Sequence, residues 1–186
     1  MRITATLLAF SLAASANLLV NGDFEQPFSV GWRDTVSDFG GEYRIERSDT
    51  LGQPVPGHAA RVYKYLAEFA SLYQTVDVPG TNLTLEFDAR FSIGFGSSTC
   101  WPVASLWVRY QNAFGAELGN TRFYRHNQYA NWVRSDTVSL IEVAENGVWR
   151  HYSLDIGREL ATNLRGVNPA QVRKVTIDLF AYCSGT

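Results

Sequence analysis

The sequence predicts an all-β, two-sheet sandwich, and three observations carry that expectation. Apolar and polar residues alternate with a period of two in several separate segments, turns rich in glycine and proline punctuate them, and one segment alone has helical spacing. The composition agrees. A chain of 186 residues, 46% hydrophobic and 18% charged, can bury a core of its own and is too apolar to stay disordered. With a formal net charge of -2 and arginines scattered singly, it lacks the electrostatic footprint of a nucleic-acid binder, and no such partner is expected.

In chain order, the first 16 residues are expected to lie outside the fold. Arg2, an apolar stretch from Ile3 to Leu12 and the small residues Ala14-Ser15-Ala16 have the form of a secretory signal peptide. The stretch is short of the ~20 apolar residues that a membrane anchor needs. The mature chain is then expected to begin at Asn17, to form one domain over 17–186, and to be secreted or periplasmic, soluble and monomeric, without membrane insertion.

Three strands read clearly. Leu83, Leu85, Phe87, Ala89 and Phe91 alternate with Thr84, Glu86, Asp88 and Arg90; Ala104, Leu106, Val108 and Tyr110 with Ser105, Trp107, Arg109 and Gln111; and Val175, Ile177, Leu179 and Ala181 with Thr176, Asp178, Phe180 and Tyr182. Shorter strands are expected at Glu42–Arg47, Ala60–Tyr65, Ser71–Val78, Thr121–Arg125, Thr137–Val143 and Trp149–Leu154. Pro54-Val55-Pro56-Gly57, Pro79-Gly80 and Asn146-Gly147 supply turns. Ile156–Leu164 reads as the one helix, with Asp155 as N-cap and a stop near Gly166 and Pro169. Gln74, inside an apolar run, reads as a buried amide bonded to backbone. Because the leader implies an oxidising compartment, Cys100 and Cys183 are expected to form the one disulfide that two cysteines allow; the alternative is two separate thiols. Asn82-Leu83-Thr84 is a glycosylation sequon, relevant only in a eukaryotic host.

NLLVNGDFE at Asn17–Glu25, then Gly31-Trp32, ARVYKY, LYQTVDVPGTNLTLEFDAR at Leu72–Arg90 and GVWRHYSLDI from Gly147 together resemble secreted carbohydrate-binding modules attached to xylanases and glucanases. The resemblance implies a galactose-binding-like jelly roll, a non-catalytic role, packing positions for Trp32 and Trp149, and a structural calcium held in part by Glu25. The family's aspartate-rich closing strand has no counterpart after Tyr182-Cys183-Ser184-Gly185-Thr186, so the last strand is expected to be missing or the topology to differ. Read without the resemblance, Asn21-Gly22-Asp23 is a tight turn, and Glu25 alone falls far short of the oxygens that calcium requires.

Sugar rings present an apolar face and a rim of hydroxyls, so a polysaccharide site needs exposed aromatics beside paired donors and acceptors. Trp107 and Arg109 share one strand face, Asp88 and Arg90 another, and Asp178, Phe180 and Tyr182 a third. Trp107 is expected to be the stacking platform, Arg109, Asp88 and Arg90 the hydroxyl partners, and Tyr124 with Trp132 a second aromatic contact. His58, His126 and His151 form no metal-protease spacing, and the sequence carries no nucleophile elbow, phosphate loop or CxxC pair. Two alternatives remain open: an adhesion or structural sandwich with no sugar ligand, and a jelly-roll polysaccharide lyase drawing on Tyr124, Arg125, His126, Asn127 and Arg109.

Overall fold

Among the described residues, ten strands and one α-helix form, and their positions follow the alternation of the side chains. The computed structural model describes residues 17–37, 39–52, 57–94, 96 and 100–185; the leader and the Pro54-Val55-Pro56 turn lie outside them. In order they are β1 (Arg33–Val36), β2 (Glu42–Ser48), β3 (Ala59–Tyr65), β4 (Glu68–Asp77), β5 (Thr84–Arg90), β6 (Pro102–Gln111), β7 (Glu117–His126), β8 (Val138–Glu142), β9 (Trp149–Asp155), α1 (Ile156–Asn163) and β10 (Lys174–Cys183).

One sheet holds six strands in the order β1-β4-β10-β6-β7-β8, antiparallel except for the parallel pair β7 and β8. The opposing layer consists of two antiparallel pairs, β2 with β3 and β5 with β9. The result is an all-β sandwich. Its core is the inner face of the large sheet, where Leu72, Leu106, Val108, Phe123, Val175 and Ile177 are buried against Phe91, Leu154 and the α1 residues Ile156 and Leu160. Fully burying such aliphatic side chains contributes roughly 1.5 to 3 kcal/mol each. The opposing layer is incomplete: β3 and β5 are not paired with each other, and both line a cleft of about 590 Å³ that reaches the inner face of the large sheet.

Two local devices fix the ends of this frame. The Asp155 carboxylate accepts from the amide of Arg158 at 2.9 Å, which satisfies one of the orphan donors at the start of α1. At the chain's beginning, the Gln74 amide takes the Val20 backbone at both ends, accepting from its nitrogen at 2.7 Å and donating to its oxygen at 2.8 Å. Gly31, at φ +90, lies against this pair, and a Cβ there would stand 3.0 Å from both Gln74 Nε2 and the Val20 carbonyl oxygen. Only glycine accommodates both the conformation and the approach. Trp32 is buried and donates to the Asn21 carbonyl at 3.0 Å, and Asn21 itself has φ 53, so the Asn21-Gly22-Asp23 segment is a tight turn. Among the described residues, no helix is long and apolar enough to cross a membrane.

The sulfurs of Cys100 and Cys183, 83 residues apart in sequence, lie 3.0 Å from each other. Burial, followed by the Cys100 contact, pushes the Cys183 thiol up to about 11, so in the reduced protein it stays protonated at neutral pH and is a poor nucleophile. Protein matured in an oxidising compartment is expected to have the two sulfurs joined, adding roughly 3 to 5 kcal/mol by the chain-entropy estimate. Alkylation under denaturing, non-reducing conditions should label no cysteine; labelling of two would rule the crosslink out.

Candidate functional site

The outer face of the six-stranded sheet gathers most of the chemistry that the sequence singles out. Cross-strand register places Tyr73, Asp178, Trp107 and Arg122 in one row over β4, β10, β6 and β7, with Ser71, Phe180, Ser105 and Tyr124 in the next. Each of these is two residues from its neighbour on the same strand, so all share a face. Trp132, from the segment between β7 and β8, folds over the same surface.

The aromatic rings form one unbroken run. Trp101 lies 5.0 Å from Tyr182, Tyr182 6.4 Å from Phe180, and Phe180 4.8 Å from Trp107, with Phe69 stacked on Phe180 at 5.7 Å. Trp107 continues to Trp132 at 5.6 Å, Trp132 to Tyr124 at 5.4 Å and Tyr124 to His126 at 5.1 Å. These centroid spacings fall in the range where offset and edge-to-face pairs are favourable. Beside the run lies a smaller cavity of about 480 Å³, lined by Thr35, Ser71, Tyr73, Arg109, Gln111 and Asp178 among others.

Charge is organised around Trp107. The guanidinium carbons of Arg109 and Arg122 lie 4.6 Å and 3.9 Å from its ring centroid. Arg109 donates to the Asp178 carboxylate at 2.6 Å and stands 3.7 Å from Glu117. Asp178 also accepts from the Ser71 hydroxyl at 2.5 Å. Burial nevertheless pushes its carboxyl above the ordinary value, with Ser71 and Arg109 pulling it back. The Tyr124 hydroxyl is raised as well, first by burial and then by Glu142.

Three expectations change here. Trp107 faces outward as the alternation requires, but its ring is covered by two guanidinium groups and neighbouring aromatics, so it supports the site more than it offers a bare platform. Asp88 and Arg90 do not join it. Both sit on β5 in the opposing layer, exposed, with Asp88 3.2 Å from His151 and Arg90 over Trp149 at 5.8 Å. Arg122, absent from the sequence-based set, takes the position next to Trp107 instead. Tyr124 and His126 share the outer face, whereas Arg125 spends its guanidinium on the carbonyls of Val143 and Ala144, at 3.0 and 2.7 Å. The set of groups drawn up for a lyase is therefore split, and its tyrosine holds its proton more tightly than usual.

The loop at Glu25 does not fit a calcium. The carbonyl oxygens of Phe24 and Glu25 accept from Arg47 at 2.5 and 3.0 Å, and the Glu25 carboxylate lies 2.7 Å from His58 Nδ1. A guanidinium thus occupies the oxygens that a divalent ion would need, and among the described residues no group of three or more histidines, cysteines and acids could hold a metal.

No family model and no curated protein matches the chain. Among solved structures it is similar to the enzymatically active domain of tailspike protein 4 from bacteriophage CBA120, at 13% identity and a TM-score of 0.49 over 90% of this chain and 20% of that one. It is also similar to the family 11 carbohydrate-binding module of Clostridium thermocellum, solved in complex with a β-1,3-1,4-mixed-linked tetrasaccharide, at 10% identity and a TM-score of 0.41 over 88% and 89%. The chain spans about 20% of the tailspike's length.

Replacing Arg47 with alanine should remove two charge-assisted bonds to the first loop. The expected cost is about 1 to 2 kcal/mol, a fall of roughly 2 to 8 °C in melting temperature. EDTA should leave the parent's melting curve where it is, and a fall after chelation would show that a metal does hold this loop.

Proposed function

We propose that the protein is a secreted, non-catalytic carbohydrate-binding module that lays a polysaccharide along the outer face of its six-stranded sheet. The observation that carries this reading is the unbroken aromatic run from Trp101 to His126, bordered by Arg109, Asp178 and Arg122. Sugar rings pack their apolar faces on such rings, and their hydroxyls exchange hydrogen bonds with flanking guanidinium and carboxylate groups. Each exchange displaces water and gains little net energy, so affinity comes from several ring contacts in register. The sheet is a rigid platform for them, since β4, β10, β6 and β7, the strands that carry the run, are each hydrogen-bonded on both sides. Export rests on the leader-like residues 1–16.

The test is a panel of soluble polysaccharides in affinity electrophoresis with three tryptophan variants. Trp132→Ala should lose about tenfold or more in affinity, the value of one or two aromatic contacts, with the melting temperature little changed because the ring comes from a connecting segment. Trp107→Ala should lose binding and also melt a few degrees lower, since it supports two arginines. Trp149→Ala, on the opposing layer, should bind as the parent does. Equal binding by all three variants, or loss in Trp149→Ala alone, would contradict the proposal. Release of unsaturated products from any bound polymer would make the protein a lyase.

A further inference from the structure

Arg122, half-buried on the aromatic face, forms no ion pair with any described residue. Its guanidinium lies between two indoles, 3.9 Å from the centroid of Trp107 and 4.8 Å from that of Trp132, and the indoles meet at 87°. Its Nε donates to Asn120 at 2.8 Å. No described residue bonds the two terminal nitrogens. The nearby acids are committed elsewhere: Asp178 to Arg109 and Ser71, Glu117 to the Asn120 amide at 2.6 Å and to Arg109 at 3.7 Å, and Glu142 to His126 at 3.7 Å. Next to Arg122, Trp107 Nε1 and Arg109 Nε also lack partners, and both are donors. Burial accordingly pulls Arg122 below its ordinary value, and the like charge of Arg109 adds to the fall against Glu117.

A half-buried cation whose two parallel terminal donors bond no described residue is free to take an anion. A neutral sugar hydroxyl both donates and accepts, so a donor-only edge satisfies half of it. A carboxylate or sulfate ester only accepts, carries the missing charge, and meets a guanidinium edge through paired bonds. The flanking indoles hold the guanidinium plane in place and would exclude water from that contact. We infer that the glycan taken on this face carries anionic sugar residues, with the oxyanion, carboxylate or sulfate, seated on the terminal nitrogens of Arg122. The inference rests on the sugar-binding reading of the same face and narrows its substrate class.

The experiment pairs each charged polymer with its own neutral form. Polygalacturonate and alginate are compared with their carboxyl-reduced derivatives, and carrageenan with desulfated carrageenan, alongside xylan and mixed-linkage β-glucan as neutral chains. The parent protein should bind at least one charged polymer about tenfold more tightly than its neutralised form, and salt near 0.5 M should shrink that preference. Preference within the carboxylated or the sulfated pairs identifies the oxyanion. Arg122→Gln should abolish the preference, so that it binds each charged polymer no more tightly than the neutralised form. Equal affinity of the parent for charged and neutralised polymers, or tight binding of neutral chains that Arg122→Gln leaves intact, would overturn this inference and leave the sugar-binding reading standing. Failure to bind any polymer, charged or neutral, would overturn both.

Discussion

Hydrogen bonding of β10 to β4 on one side and to β6 on the other decides what the molecule presents to its core and what it presents to solvent. The registers are continuous: Lys174 to Cys183 oppose Asp77 to Glu68 across β4 and Gln111 to Pro102 across β6. With side chains alternating at every residue, this pairing puts Val175 and Ile177 beside Val76, Gln74, Val108 and Tyr110 on the inner face. It puts Asp178 and Phe180 beside Tyr73, Ser71, Trp107 and Ser105 on the outer one. A slip of β10 by one residue would exchange its two sets, turning Asp178 away from Arg109 into the aliphatic core and Val175 and Ile177 outward.

The outer face bears the cost of that arrangement. Asp178 is buried, and its charge is tolerated through the Ser71 hydroxyl and the Arg109 guanidinium, which in turn rests on Trp107. Removing one partner of such a set leaves the other buried and uncompensated, which costs more than the pair is worth. The first loop uses the same chemistry on a smaller scale: Arg47 holds the carbonyls of Phe24 and Glu25, and Gln74 reaches from β4 to hold Val20. In both places a fixed side-chain donor ties irregular backbone or a buried acid to the sheet.

What the sequence disclosed and what it concealed follow from the range of each signal. Alternation is local, so the long strands, the facing of Trp107 and the inward aliphatic sets were legible, as was α1 with its Asp155 cap. β1, Arg33-Asp34-Thr35-Val36, has no apolar alternation and exists because β4 offers it an edge, with Arg33 opposite Tyr73. Alternation also says which way a side chain points and not which sheet it belongs to. Hence Asp88 and Arg90 could be grouped with Trp107 although β5 pairs with β9 in the other layer. Arg122 was missed because its meaning depends on a neighbour fifteen residues back, the directly opposed Trp107, and on Trp132 arriving from a loop. A tryptophan and an arginine on facing positions of two adjacent strands would have been the signal.

The five indole N–H resonances report on every region of the fold at once: Trp32 in the core, Trp149 on the opposing layer, Trp101 at one end of the aromatic run, and Trp107 and Trp132 around Arg122. Titrating labelled protein with an oligosaccharide cut from a bound polymer reads all five in one spectrum. Movement of Trp107 and Trp132, with Trp32 and Trp149 stationary, is what recognition on the six-stranded sheet requires. Movement of Trp149 with Trp107 and Trp132 unchanged would place the ligand on the other layer and contradict the account.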